Sequence, residues 1–173
     1  LRIAVNVSAA QIADGCFSDT VRAVLAETGI APQLLELEIT EGVLAANIAQ
    51  TMSVLAELKR LGVAIAVDDF GTGYSNLAYL RQFPIDVLKI DQSFVRDMIG
   101  DKSNLAIISA IVSMARGLDL QLVAEGVESA EQERALLALG CRVMQGFLYG
   151  RPVPAEEMDR QLGNGARLAG SQA

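Results

Sequence analysis

The chain has 173 residues, 51% of them hydrophobic, which is enough for one domain with a sizeable buried core. Its formal net charge of −7 argues against binding to a nucleic-acid polymer, because the phosphates of the polymer would be repelled. The sequence contains no histidine, which excludes Ser-His-Asp triads, Cys-His dyads and histidine-based zinc sites.

Membrane insertion and disulfide bonding are not indicated either. No apolar run reaches the roughly 18 residues that a membrane-spanning helix needs. The two cysteines, Cys16 and Cys141, lie far apart and lack a metal-binding spacing. We therefore expect reduced thiols and a cytoplasmic domain with no direct membrane insertion, whether or not the parent protein is membrane-anchored.

Strand-like apolar runs alternate with amphipathic, helix-like segments along the chain. The strand candidates are residues 1–8, 34–40, 63–69, 87–91, 120–126 and 141–146. This alternation predicts an α/β domain with a parallel sheet covered by helices. The domain is expected to span residues 1–162, with a flexible tail or linker at 163–173.

Several of the predicted helices carry recognisable end signals. Ser129 and Gln132 form a capping box, and Gly140 is the expected end of the helix that they begin. Ser18 and Gly29 are predicted to bracket an earlier helix in the same way.

Polar side chains recur near the carboxyl end of each predicted strand. Side chains alternate between the two faces of a strand, and the large apolar residues, such as Ile3, Val5 and Val7, are expected to face the helices. The polar residues of opposite parity are Asn6, Glu38, Asp68, Lys89, Glu125 and Gln145. In a parallel barrel these side chains would meet at one rim, where active sites lie.

Each of these residues also has an ordinary structural interpretation. A strand-end Asp or Asn is often a turn residue or a helix cap, and a lysine beside carboxylates can be a buried ion pair. Caps have no need to converge on one face, so the shared parity of six residues favours a functional site.

Two further carboxylates lie out of phase with this set. Asp69 directly follows Asp68, and Glu41 lies just past its strand. If the backbone turns after Asp68, both aspartates can reach the rim, where two divalent cations about 3.5–4 Å apart would remove their repulsion. Ligands made only of oxygen select Mg²⁺ or Mn²⁺ over zinc or copper.

Six motifs in the chain resemble those of EAL-domain phosphodiesterases, bacterial enzymes that hydrolyse cyclic di-GMP. They are NVS at 6–8, ELEITEG at 36–42, DDFGTGYSNL at 68–77, LKID at 88–91, AEGVE at 124–128 and QGFLYGRP at 145–152. The resemblance implies a TIM-like (β/α)₈ barrel that cleaves cyclic di-GMP to linear pGpG with two Mg²⁺ or Mn²⁺ ions.

The resemblance also implies roles for individual residues. Lys89 would position the attacking water, Glu125 would be the general base and Glu41 would anchor the DDFGTGYSNL loop. The implied metal ligands are Asn6, Glu38, Asp68 and Asp69. Support of substrate or metals is implied for Gln145, Asp91 and Glu128.

One departure from the family pattern concerns the Glu-Ala-Leu string after which the family is named. That string lies on an earlier strand and supplies a metal ligand, and it does not occur in this sequence. The resemblance therefore implies that about six of the eight βα units are present. We expect the chain alone to be inactive, although the intact protein would be an enzyme.

Two alternatives stay open at this point. A catalytically inactive cyclic di-GMP receptor would bind the ligand without cleaving it, and an enolase-like barrel would use Lys89 as a base. The resemblance further implies a homodimer formed near the DDFGTGYSNL loop. It also implies fusion to sensor or GGDEF (diguanylate cyclase) domains in the parent protein.

Overall fold

The computed structural model describes residues 2–73 and 80–169, and the predicted alternation of strands and helices is present in it. The strands are β1 (Ile3–Val7), β2 (Leu35–Thr40), β3 (Ala64–Phe70), β4 (Val87–Ile90), β5 (Gln121–Ala124) and β6 (Val143–Met144). The helices are α1 (Ala9–Ala13), α2 (Phe17–Thr28), α3 (Glu41–Ala46), α4 (Ile48–Leu61), α5 (Gln92–Asp97), α6 (Lys102–Gly117), α7 (Ala130–Leu139) and α8 (Ala155–Ala169).

The strands form one parallel sheet in the order of the chain, β1 to β6. Parallel neighbours need a crossover, and the helices supply it on the outer face of the sheet. The α/β fold with six units of a TIM-like barrel, expected from the sequence, is confirmed. All six strands therefore point their carboxyl ends toward the same rim.

The core lies between the outer face of β2–β4 and the helices. Ile65, Leu88 and Ile90 are fully buried on the strands, and Leu58 and Leu136 are fully buried on α4 and α7. Burial of each such side chain contributes roughly 1.5–3 kcal/mol to the transfer free energy. This packing fixes the strands and so fixes which side chains point inward.

Strand β1 departs from the expected burial pattern. Val7 is buried, whereas Ile3 and Val5 are 58% and 44% exposed, although both were expected to face helices. β1 is at the edge of the sheet, and the described helices do not cover its first residues. The expected face of these residues is consistent with the burial of Val7, which has the same parity, but the expectation that helices cover Ile3 and Val5 is wrong. Strand parity alone does not say whether a helix covers a strand.

The helix ends follow the sequence signals with one exception. The Ser129–Gln132 capping box is present, and Gly140 ends α7 with φ of 97°. Gly29 ends α2 as expected, but that helix begins at Phe17, so Ser18 is not its cap. The Ser18 hydroxyl is instead buried, without a hydrogen-bond partner among the residues that the structure describes.

The C-terminal helix is longer than the sequence pattern suggested. α8 runs to Ala169 and so extends into residues 163–173, where we expected a tail. The domain boundary at residue 162 stays a prediction. No helix within residues 2–73 and 80–169 is long and apolar enough to cross a bilayer. Residues 74–79, where the dimer contact is expected, lie outside the described part of the chain.

Candidate active site

A buried lysine holds three carboxylates together at the inner face of the sheet. The Nζ atom of Lys89 lies 2.7 Å from Glu38 Oε1, 3.0 Å from Asp68 Oδ1 and 2.8 Å from Glu125 Oε1. The Lys89 side chain is only 5% exposed. These four residues, which we call the Lys89 cluster, come from neighbouring strands β2, β3 and β4 and from the residue that follows β5. The structure thus brings together four of the six residues that strand parity had placed on one side.

The Lys89 cluster carries more negative charge than one lysine can balance. Burial alone would lower the pKa of Lys89, but hydrogen bonds to Glu125 and Glu38 outweigh burial and raise it above the ordinary lysine value. Lys89 therefore stays an ammonium group at physiological pH. Burial, with repulsion from Asp68 and Glu38, raises the pKa of Glu125 even though Lys89 opposes the rise. Glu125 is thus a carboxylate of increased basicity.

Asp69 joins the cluster through a backbone distortion. The register between β3 and β4 shifts between Val67 and Phe70, and Asp69 has φ of 52°, a conformation uncommon for a residue other than glycine. Oxygen atoms of Asp68, Asp69 and Glu125 lie within 4.8 Å of one another. The expected turn after Asp68 is present, and it brings two adjacent carboxylates to the same site.

These carboxylates fit a divalent cation. Burial raises the pKa of Asp69, and repulsion from Asp68 and Asp91 raises it further while Lys89 lowers it. Such crowding of negative charge costs free energy unless a cation compensates it. The donors are all carboxylate oxygens, which suit Mg²⁺ or Mn²⁺. Asp68, Asp69 and Glu125 are therefore able to hold such an ion.

Asn6 lies beside the cluster on the edge strand. The register of β1 and β2 pairs Asn6 with Glu38, so both side chains lie at the same level and on the same face of the sheet. Asn6 is exposed, in contrast to the buried Glu38. The amide is thus placed where it could supply a further oxygen ligand next to Glu38.

Glu41 lies outside the cluster and contacts the loop that follows β3. Glu41 is buried, and its Oε2 accepts a hydrogen bond of 3.1 Å from the backbone N–H of Gly71. A Cβ atom added to Gly73 would lie 2.9 Å from Glu41 Oε1, so the loop packs directly on this carboxylate. The role of Glu41 as anchor of this loop stays a prediction, and the contact gives Glu41 no direct part in holding Lys89.

Asp91 has a structural role at the start of α5. Its Oδ1 accepts hydrogen bonds from the Ser93 backbone, at 3.0 Å, and from the Ser93 hydroxyl, which makes Asp91 the N-cap. Burial alone would raise the pKa of Asp91, but these bonds outweigh burial and lower it. The capping interpretation of an isolated strand-end aspartate thus holds here, while support of the substrate stays a prediction.

Glu128 and Gln145 border a cavity next to the cluster. This cavity, of about 190 Å³, has Glu125, Glu128, Gln145 and Phe147 in its wall. A second cavity of about 480 Å³, on the inner face of the sheet, is lined by Glu38, Lys89 and Gln145 among others. Gln145 therefore lies between the two spaces that a ligand of the site could enter.

The parity argument missed three residues of this region. Phe147 lines the smaller cavity, and the guanidinium of Arg151 lies 4.5 Å from the centre of its ring. An aromatic residue two positions after Gln145 was the available signal. Gln92, at the start of α5, lines the same cavity. Gln92 directly follows Asp91, the N-cap of α5. The only sequence signal for Gln92 was therefore its position next to a cap that lies at the rim.

Comparison with known proteins agrees with the geometry. The EAL domain family model matches residues 1–152. Cyclic di-GMP phosphodiesterase NbdA of Pseudomonas aeruginosa is 44% identical over 162 residues, which cover 94% of this chain and 21% of NbdA. The chain thus spans about a fifth of this relative's length, and it covers a similar share, 23%, of the curated relative MucR of Pseudomonas aeruginosa.

Solved structures of other proteins match the fold over most of the chain. The phosphodiesterase MucR of Pseudomonas aeruginosa, in complex with c-di-GMP, superimposes with a TM-score of 0.88 at 45% identity and covers 91% of this chain and 64% of the MucR chain. Klebsiella pneumoniae BlrP1, in a manganese and cyclic di-GMP complex, has a TM-score of 0.82 at 33% identity. The match covers 87% of this chain and 39% of the BlrP1 chain. The family match over residues 1–152 shows that the chain belongs to the EAL domain family.

Proposed function

We propose that the protein carrying this chain hydrolyses cyclic di-GMP to linear pGpG within a bacterial signalling pathway. The single observation that carries the proposal is the Lys89 cluster, in which a buried ammonium group contacts three carboxylates at 2.7–3.0 Å. The names of the relatives NbdA and MucR support the same substrate and reaction class.

The proposed ligand set for two Mg²⁺ or Mn²⁺ ions is Asn6, Glu38, Asp68 and Asp69. The proximity of Asp68, Asp69 and Glu125 supports it, as does the pairing of Asn6 with Glu38. Bound divalent cations would polarise the phosphodiester, acidify the attacking water and neutralise the charge that develops on oxygen. The manganese and cyclic di-GMP complex of BlrP1 supports a divalent cation in this family.

Two side chains of the cluster would act on the water and the phosphate. Burial raises the pKa of Glu125, and this carboxylate would accept a proton from the water molecule while the water oxygen attacks phosphorus. One P–O bond of the ring then breaks, and the leaving oxygen takes up a proton. Lys89, held as a cation by its carboxylate partners, would place positive charge near the phosphate and position the water.

The remaining proposed residues would hold the substrate or the loops. Gln145 and Glu128, in the wall of the smaller cavity, would contact cyclic di-GMP, and Asp91 would support the site from the start of α5. Glu41 would keep the loop that follows β3 in place by accepting a hydrogen bond from the Gly71 amide. We further propose a homodimer, a cytoplasmic location and fusion to sensor or GGDEF domains in the parent protein.

The experiment that tests the proposal is hydrolysis of cyclic di-GMP by the parent protein with Mg²⁺ or Mn²⁺, followed by chromatographic separation of products. Glu125→Gln should lower kcat by about 10²–10⁴-fold, because it removes the proposed general base. Glu131→Gln is the matched control, since Glu131 is an exposed glutamate on α7.

Either of two results would contradict this mechanism. Tight binding of cyclic di-GMP by the wild-type protein without pGpG would make the domain a receptor. Equal rates of cyclic di-GMP hydrolysis by wild type and Glu125→Gln would show that Glu125 is not the general base. Loss of activity with a chelator, and its return with Mg²⁺ or Mn²⁺, is expected in the same assay.

A further inference from the structure

The loop that carries Glu125 and Glu128 has no regular secondary structure, yet a buried glutamine fixes its far end. Gln132 lies in the first turn of α7 and is 7% exposed. Its Oε1 accepts hydrogen bonds from the backbone N–H groups of Glu128, at 2.8 Å, and Ser129, at 2.9 Å. Its Nε2 donates to the carbonyl oxygens of Val95, at 3.1 Å, and Arg96, at 3.3 Å.

These four bonds use the full capacity of one amide side chain. A glutamine has two acceptor lone pairs on Oε1 and two donor hydrogens on Nε2. The groups that it satisfies are amide N–H groups at and just before the start of α7 and carbonyl groups in the last turn of α5, where helices leave backbone groups short of partners. A capping box alone would need only the bond from the Ser129 amide to the Gln132 side chain, so the bonds to Val95 and Arg96 are an additional link between two helices.

The loop also contacts the beginning of α5. A Cβ atom added to Gly126 would lie 2.5 Å from the Cβ of Gln92, so the backbone at Gly126 lies directly against that side chain. Gln92 is the first residue of α5 and lies only three positions after Lys89 in the chain. The loop is therefore held on α5 at both ends of this helix, by Gly126 at Gln92 and by Gln132 at Val95 and Arg96.

We propose that Gln132 is a positioning residue, which sets the Glu125 carboxylate against Lys89 by linking the loop of residues 125–129 to α5. Gln132 itself does not touch the reacting groups. This inference rests on the proposed function, because Glu125 is the base of that reaction. The 2.8 Å distance between Lys89 Nζ and Glu125 Oε1 is the quantity that the link would maintain.

The test is Gln132→Glu in the parent protein, because a carboxylate keeps the acceptor oxygens but loses the donors to Val95 and Arg96. The matched control is Gln50→Glu. Gln50 also lies in the first turn of its helix, accepts from Asn47 Nδ2 and donates to the carbonyl of Ala13 at the end of α1. Both substitutions thus remove a donor that links two helices, one bond at Gln50 and two at the more buried Gln132. Only the Gln132 link contacts the loop that carries Glu125.

We expect Gln132→Glu to lower kcat by about tenfold or more while KM changes by less than about threefold, since misplacement of a catalytic group by 1 Å can cost two orders of magnitude. Gln50→Glu should leave both constants at the wild-type values. Circular dichroism and thermal unfolding establish that equal folded fractions are compared. A purely structural role would lower kcat only in proportion to the folded fraction.

The wild-type assay tests the proposed function, whereas the Gln132 variants test the positioning role of Gln132. An inactive wild-type protein overturns the proposed function, and this inference with it. An active wild type together with a fully folded Gln132→Glu variant of unchanged kcat overturns the inference alone. If Gln132→Glu does not fold, the shorter Gln132→Asn is judged by the same criterion. Failure of both variants to fold makes Gln132 a folding residue and overturns its positioning role.

Discussion

Lys89 is the residue on which the charge balance of the site depends. It is the only cation within hydrogen-bonding distance of Glu38, Asp68 and Glu125 among the residues that the structure describes. A buried carboxylate without a cationic partner is costly, because the protein interior solvates charge poorly. The stability of the cation-free protein should therefore be sensitive to this one side chain.

Replacing Lys89 tests that dependence directly. Lys89→Met should lower the free energy of unfolding of chelator-treated protein by about 3 kcal/mol, the usual cost of leaving buried charges unpaired. The pKa of Lys89 is raised by folding, so its contribution is fully present below the ordinary lysine pKa and is lost only as the pH rises through the folded-state value. The difference in free energy of unfolding between wild type and Lys89→Met should persist at neutral pH. It should become smaller on acidification, because the unpaired carboxylates of the variant then become protonated and lose their charge.

Urea unfolding of both proteins at several pH values measures the effect of this substitution. Lys102→Met provides the control, because Lys102 is exposed at the start of α6, and it should cost less than about 0.5 kcal/mol. Equal stability of Lys89→Met and wild type would mean that the three carboxylates are already compensated by another group.

Strand parity predicted the Lys89 cluster from the sequence because alternation is strict within a regular strand. Glu38, Asp68, Lys89 and Glu125 were all assigned to one face on that basis. Parity placed Asp69 on the other face, and only a turn of the backbone, now observed as its positive φ, brings it back. The position of Gln132 against α5 depends on tertiary packing between α5 and α7, and no local pattern encodes that packing.

At the scale of elements, the loop after β5 is shaped by a glycine in close contact. Gly126 has φ of 68°, which a residue with a side chain rarely adopts, and its backbone lies against Gln92 on α5. Gly29 has the same φ of 68° at the end of α2, but an added Cβ would meet no atom within 4 Å there. Comparing Gly126 with Gly29 therefore distinguishes the cost of the left-handed backbone conformation, which both share, from the cost of a steric clash, which only Gly126 would have.

Substitution of each glycine by alanine should therefore have different costs. Gly29→Ala should lower the free energy of unfolding by about 1 kcal/mol, the penalty for a left-handed conformation. Gly126→Ala should cost roughly 2–4 kcal/mol, because overpacking against Gln92 adds a further 1–3 kcal/mol to the same penalty. Thermal unfolding of the two variants side by side measures the difference. Equal losses would show that the Gln92 side chain moves away without cost.

At the scale of the whole molecule, the sheet has two edges, and the site lies near its middle. β1 and β6 are the outer strands of the described sheet, while the Lys89 cluster lies on β2 to β4 and just after β5. The larger cavity extends across the inner face to residues of β1 and β6. Asn6, the proposed ligand on β1, is exposed at the edge.

This arrangement predicts that residues 1–173 alone are much less active than the parent protein. The inner face is exposed to water at β1, where Ala4 and Asn6 are exposed, and water weakens electrostatic interactions in the site. Specific hydrolysis of cyclic di-GMP by the two proteins at equal molar concentration is the measurement. We expect little or no pGpG from residues 1–173. Equal activity would mean that six βα units form a complete site.

The backbones of Gly146 and Val127 are in close contact at the rim of the site. A Cβ atom on Gly146 would lie 2.2 Å from the Val127 carbonyl oxygen, so the two backbones touch with no side chain between them. The amide of Val127 donates to the Gln145 carbonyl at 3.0 Å, and that of Leu148 donates to the Val127 carbonyl at 3.0 Å. We expect segments joined in this way to open together, as one cooperative unit. The backbone amides next to Glu125 and Gln145 should therefore exchange their hydrogens with solvent as one unit.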